Sequence, residues 1–151
     1  MLVEMLRGLA ILGLLGVAFL SCAAEEASVA AIVDSGSTNR AGFRITIDHE
    51  GAAVLTSAPR RFAARGMPPD PIRRVVPKAL RETFYADLRA AGPLASLPAM
   101  DCAKSVSFGS TLSVEFGGEQ TPDLSCGDGG NAALRDLIRD VRQISDLMHS
   151  E

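Results

Sequence analysis

The chain has 151 residues, a net charge of −3, 47% hydrophobic residues and only 5% aromatic ones. That length gives room for one domain. The mild acidity excludes a mainly nucleic-acid-binding role, which calls for a strongly basic face. Much of the apolar content is concentrated at the N-terminus, so the rest of the chain has an ordinary water-compatible composition.

Met1–Arg7 forms a short head, and Gly8–Leu20 is a 13-residue uncharged run rich in Leu, Ile and Val. The run has the length of a signal-sequence core and is short for a membrane span. Glu4 is unusual in a head of this kind. Two processing outcomes remain open. Cys22-Ala23-Ala24 places small residues for cleavage before Glu25. Alternatively, Phe19-Leu20-Ser21-Cys22 resembles a bacterial lipobox, which implies that Cys22 is acylated and becomes the first mature residue. The expected organisation is a signal at 1–21 (or 1–24), a tether at 22–27 and one domain over 28–151. The three cysteines are an odd number for an exported chain. A lipid on Cys22 would leave Cys102 and Cys126, which are expected to pair in an oxidising compartment. Two separate buried thiols are the alternative to a disulfide. A metal site lacks a nearby Cys-x-x-Cys or histidine partner.

In chain order, Ser28–Val33 reads as a short apolar strand, followed by a Ser/Thr/Asn loop over Gly36–Gly42. Phe43–Asp48 alternates apolar and polar residues as a half-buried strand does. A two-residue turn at Glu50-Gly51 would pair Asp48 with Ala53 and Ile47 with Val54, with Ala52–Ser57 as the return strand. Five prolines between Pro59 and Pro77 predict a loop there. Pro77 suits the first turn of a helix running to Ala91, with Leu80, Phe84 and Leu88 on one side and Gly92-Pro93 as its stop. Val106 and Phe108 alternate, as do Leu112, Val114 and Phe116. A three-residue loop at Gly109–Thr111 would join them as a hairpin. Gly117–Gly130 reads as loop. Asn131 caps a last helix to about Met148, whose apolar stripe comprises Leu134, Leu137, Ile138, Val141, Ile144 and Leu147. Arg135, Asp136, Arg139, Asp140 and Arg142 fall largely outside that stripe. The economical fold is α+β, in the order βββαββα. It is an antiparallel sheet of about five strands with two helices packed on one face.

Several motifs suggest chemistry. Ile32-Val33-Asp34-Ser35-Gly36-Ser37-Thr38 resembles the active-site loop of aspartic peptidases. That reaction needs two aspartates sharing a proton, so a chain this short would act as a symmetric dimer, as retroviral-type peptidases do. The family's second signature, two hydrophobic residues and a Gly ahead of a C-terminal helix, occurs only inside the signal. Asp34-Ser35-Gly36 equally suits a strand end at which Asp and Ser bond their own backbone. No serine sits in a Gly-x-Ser-x-Gly elbow. Asp128-Gly129-Gly130-Asn131 lacks the alternating oxygen ligands and the closing Glu of a calcium loop. No cofactor or metal is expected.

Two surfaces are candidates for binding. Arg60, Arg61, Arg65, Arg73 and Arg74 stand against Asp70 alone in the proline-rich stretch, which would suit anionic headgroups or an acidic partner. The sheet face away from the helices is expected to carry Arg44, Thr46, Asp48, Ser105, Ser107, Ser113 and Glu115. Lys104–Gly109 (Lys-Ser-Val-Ser-Phe-Gly) and Pro122–Cys126 (Pro-Asp-Leu-Ser-Cys) resemble a family of uncharacterised small exported bacterial proteins. The resemblance implies a similar shape and Cys102–Cys126 pairing, and no activity. The sequence thus points to a non-catalytic envelope protein that binds an unknown envelope component, held to the membrane by lipid if Cys22 is acylated. The alternatives are an Asp34-dependent dimeric hydrolase and an exported inhibitor presenting a loop such as Ala58–Ile72.

Overall fold

The computed structural model describes residues 29–58, 69–105, 107 and 109–150. The expected signal segment, Cys22, Arg60, Arg61, Arg65, Val106 and Phe108 lie outside the described residues. The fold is α+β. Strands β1 (Ala30–Asp34), β2 (Phe43–Ile47), β3 (Ala52–Ser57), β4 (Ile72–Val75), β5 (Leu112–Phe116) and β6 (Glu119–Gln120) form an antiparallel sheet in the order β4-β3-β2-β1-β5-β6. Helices α1 (Lys78–Ala90) and α2 (Ala132–His149) complete the domain. No helix of the described residues is long and apolar enough to cross a membrane.

Alternation divides the strands into two faces. Ile32 lies opposite both Ile45 and Val114, and Ile45 opposite Leu55, so these side chains share one face. They are buried with Phe84, Leu88, Leu134, Leu137, Val141 and Ile144 of the two helices in one hydrophobic core. Each fully buried aliphatic side chain contributes roughly 1.5–3 kcal/mol relative to exposure. On the other face Arg44, Ala52 and Thr56 are exposed. Ala31 is buried on that side, where the Arg44–Glu115 ion pair (2.6 Å) crosses β1.

The helix boundaries follow from their terminal residues. Pro77 immediately precedes α1, and Gly92, at φ 80°, lies just beyond its end. The Asn131 side chain accepts from Leu134 N–H (3.3 Å) at the start of α2. The α2 stripe is buried as expected except that Met148 replaces Leu147 as its last fully buried member. Asp140, expected outside the stripe, is only 1% exposed.

Two sequence expectations are corrected. The β2–β3 hairpin has Ile47 opposite Ala53 and Thr46 opposite Val54, one residue away from the expected register. Asp48 is the cause. Its Oδ1 accepts from Glu50 N–H (3.0 Å), Gly51 N–H (2.7 Å) and Ala52 N–H (2.8 Å), which draws three residues into the turn. Second, the expected loop over 59–77 contains β4. Pro71 and Pro77 flank this strand without interrupting it, and proline is tolerated beside an edge strand. β5 is flanked by β1 and β6, and the strand expected at Val106–Phe108 falls outside the described residues. The β1–β5 ladder continues through Ser35 N–H to Thr111 O (2.9 Å).

Candidate functional site

The motif singled out around Asp34 closes β1 on the helix-covered face. Asp34 is 7% exposed. Its Oδ1 accepts from Gly36 N–H (2.7 Å), the local backbone bond that an Asp-Ser-Gly strand end favours. Its Oδ2 accepts from Arg40 Nη2 (2.6 Å), which also donates to Ser110 Oγ (2.9 Å). Gly36 is required by crowding as well as by its φ of 65°, because a Cβ there would lie 2.3 Å from Gly42 N. Asp34 and Arg40 line a cavity of about 300 Å³ with Leu112, Arg142, Asp146 and His149. Asp146, the other carboxylate among the described lining residues, lies on α2.

A second constellation surrounds the disulfide, which joins Cys102 to Cys126. Lys104 Nζ donates to Asp123 Oδ2, Ser125 Oγ (2.6 Å) and Ser110 O (2.6 Å). Ser125 Oγ in turn donates to Asp123 Oδ1 (2.7 Å), and Leu112 N–H reaches the same oxygen (3.0 Å). Burial alone would raise the Asp123 carboxyl. Hydrogen bonds from Lys104, Ser125 and two backbone N–H groups outweigh burial and bring it down to about 2. A serine beside a lysine suggests nucleophilic chemistry. Here, however, three acceptors match the three donors of an ammonium group, and the serine proton goes to Asp123. The arrangement ties the disulfide loop to the start of β5.

The third constellation lies in the seam between α1 and α2. Arg139 reaches Asp136 (2.8 Å), Asp140 (3.2 Å) and Asp87 (3.5 Å). Among the described residues, Asp140 Oδ2 is buried without a hydrogen-bond partner. Burial and the neighbouring Asp140 and Asp136 carboxylates push the Asp87 carboxyl up. Among the described residues no group of three His, Cys, Asp or Glu side chains is placed to hold a metal ion.

The expected binding residues are dispersed. Arg73 and Arg74 lie on β4, opposite Val54 and Ala53 respectively, and so project to opposite faces. Arg74 is directed to the Ser150 carbonyl beyond α2, whereas Arg73 joins the open face. Arg44, Thr46, Ser113 and Glu115 share that open face as expected. Hydrogen bonding to Arg44 lowers the Glu115 carboxyl despite its burial. Asp48 belongs instead to the hairpin turn, and Ser105 and Ser107 to the disulfide loop, so none of them lies on the sheet. His49 stacks on Tyr85 (centroids 4.3 Å), and His149 Nδ1 lies 2.7 Å from Ser145 O.

Sequence reading missed the Lys104–Asp123–Ser125 network and the burial of Asp140. Asp123-Leu124-Ser125 carries the local signal of an Asx turn, confirmed by Ser125 N–H donating to Asp123 Oδ1 (3.0 Å). Neither Lys104 nor Arg40 carries a local signal, because their partners are remote in sequence or set by loop closure. Comparison with protein-family models, curated proteins and solved structures found no match.

Proposed function

We propose that the chain is an exported cell-envelope protein without catalytic activity, acting as a binding module through the uncovered face and edge of its sheet. One observation carries the reading: the helices and the core occupy one face, while the other presents Val33, Val54 and Val75 beside Arg44 and Arg73. Sheets in small domains are commonly solvated on one side, but an exposed large apolar side chain next to unpaired strand edge marks a surface suited to a partner. Val75 is 74% exposed. Export rests on the signal-like N-terminus, and membrane attachment on acylation of Cys22. The resemblance of Lys104–Gly109 and Pro122–Cys126 to small exported bacterial proteins is in keeping with export.

A photo-crosslinking side chain at Thr56, on the open face, tests the binding reading in intact envelopes. A discrete adduct from Thr56, missing from the same probe at Ala86 on α1, is the expected result. Identical adducts at both positions, or none at either, overturn it. Intact mass of the mature chain tests anchoring, since an unmodified protein beginning at Glu25 removes lipidation from the reading. The hydrolase alternative is disfavoured by the engagement of both Asp34 oxygens with Gly36 and Arg40. Pepstatin-sensitive cleavage of denatured protein that disappears in folded Asp34→Asn would restore it.

A further inference from the structure

We infer that the outer edge of β4 is a docking site for an extended acidic polypeptide segment, which adds to the sheet as a further strand. The inference rests on the binding-module reading and specifies both its edge and its partner. β4 ends the strand order, so among the described residues nothing pairs with its outer side. Val76 N–H donates to Gly51 O (2.9 Å), and Ile72 and Arg74 continue that alternation toward Leu55 and Ala53. In an antiparallel ladder the intervening residues point their backbone groups the other way. The N–H and C=O groups of Arg73 and Val75 therefore face outward, four groups in the spacing a new strand requires.

The side chains select the partner. Val75 and Ile72 are 74% and 41% exposed, on opposite faces of the edge, and offer apolar contact on both sides of an added strand. Arg73 lies between them in sequence with Arg74. A second copy of β4 pairing antiparallel would use the same outward groups. Pairing Arg73 with Val75 of the other copy sets Arg74 against Arg74, and pairing Arg73 with Arg73 stacks those two cations directly. Like charges directly opposite are destabilising, and basic side chains are a common guard against edge-to-edge association. The same arginines become attractive toward a strand carrying Asp or Glu at the facing positions.

The probe is a dye-labelled peptide alternating glutamate and valine, titrated into the purified full chain and followed by fluorescence anisotropy. The same peptide with lysine for glutamate is the charge control. Binding of the acidic peptide at least about tenfold more tightly than the lysine peptide is expected. Val75→Pro removes an outward N–H while leaving the β3 ladder bonds in place, and should weaken binding by about tenfold or more with an unchanged melting profile. Arg73→Glu should reverse the preference between the two peptides. On the unmodified protein, bound acidic peptide should slow amide exchange at Arg73 and Val75, a readout that holds even if the proline variant folds poorly.

Undiminished binding to a folded Val75→Pro protein, equal binding of both peptides, or unchanged exchange at these two amides overturns the inference. So does a peptide-free dimer that Val75→Pro dissociates, which would make a second copy the occupant. Binding to phosphatidylglycerol vesicles that Arg73→Ala abolishes and Val75→Pro spares would assign the arginines to lipid instead. A Thr56 crosslink that persists when the peptide results fail would retain the open-face reading and reject only this edge and partner.

Discussion

The turns at the ends of the sheet and the seam between the helices both engage aspartates, and they satisfy them differently. Asp34, Asp48 and Asp123 sit in or beside turns, where each accepts at least one backbone N–H. Asp140 sits within α2, where backbone N–H groups are already committed to carbonyls one turn earlier. It must rely on side chains, and Arg139 reaches only one of its oxygens. The comparison shows that the value of a buried carboxylate depends on the donors its backbone setting leaves free. In the loops these aspartates fix chain direction. In the seam, Asp140 places a half-satisfied charge beside Asp87.

The largest test of the loop end is Cys126→Ser. The disulfide closes a 24-residue separation, and its loss should destabilise the domain by about 3 kcal/mol, measured by urea unfolding. Asp34→Ala comes next. It leaves the Gly36 N–H and the Arg40 guanidinium without their shared acceptor, a loss of about 2 kcal/mol. Equal stability of the mutant and parent proteins would show that Asp34 does not organise this end.

The seam should respond with the opposite sign. Asp140→Leu removes a buried oxygen that has no partner among the described residues and a charge that repels Asp87, so it should stabilise the protein by about 1 kcal/mol. A destabilisation of that size would show instead that the Arg139 contact outweighs burial.

The sharpest contrast is in pH dependence. Asp123 has a depressed carboxyl of about 2, so its contribution is present above the ordinary carboxylate range and is lost as pH falls from about 4 toward 2. Asp87 has a raised carboxyl, so its contribution is present below the ordinary value and is lost as pH rises through the raised one. Unfolding curves collected from pH 7 to 2 should show a shallower acid loss for Asp123→Asn than for the parent. Asp87→Asn should instead gain relative stability above the Asp87 titration.

These residues also show where local reading reaches and where it stops. Asp34-Ser35-Gly36 is legible as a self-bonding strand end because its acceptor and donor are two residues apart. The hairpin register was misread by one position because Asp48 draws its own turn wider than Glu50-Gly51 suggests. Of the candidate binding surface, Arg44, Thr46, Ser113 and Glu115 were recoverable from alternation. Separating Arg73 from Arg74 required knowing that a strand lies between Pro71 and Pro77.

The sequence by itself determined the α+β class, the two helices with their proline, glycine and asparagine boundaries, and the inward face of each alternating strand. These properties follow from periodicity and backbone preference within a few neighbouring residues. Tertiary structure alone decided that β1 lies between β2 and β5 and that β4 ends the strand order among the described residues. It also decided that Asp140 is enclosed, because a polar position on a helix becomes buried only when another element packs over it. Strand partners and seams bring together residues far apart in sequence, and their choice depends on core closure and backbone pairing that no local pattern encodes.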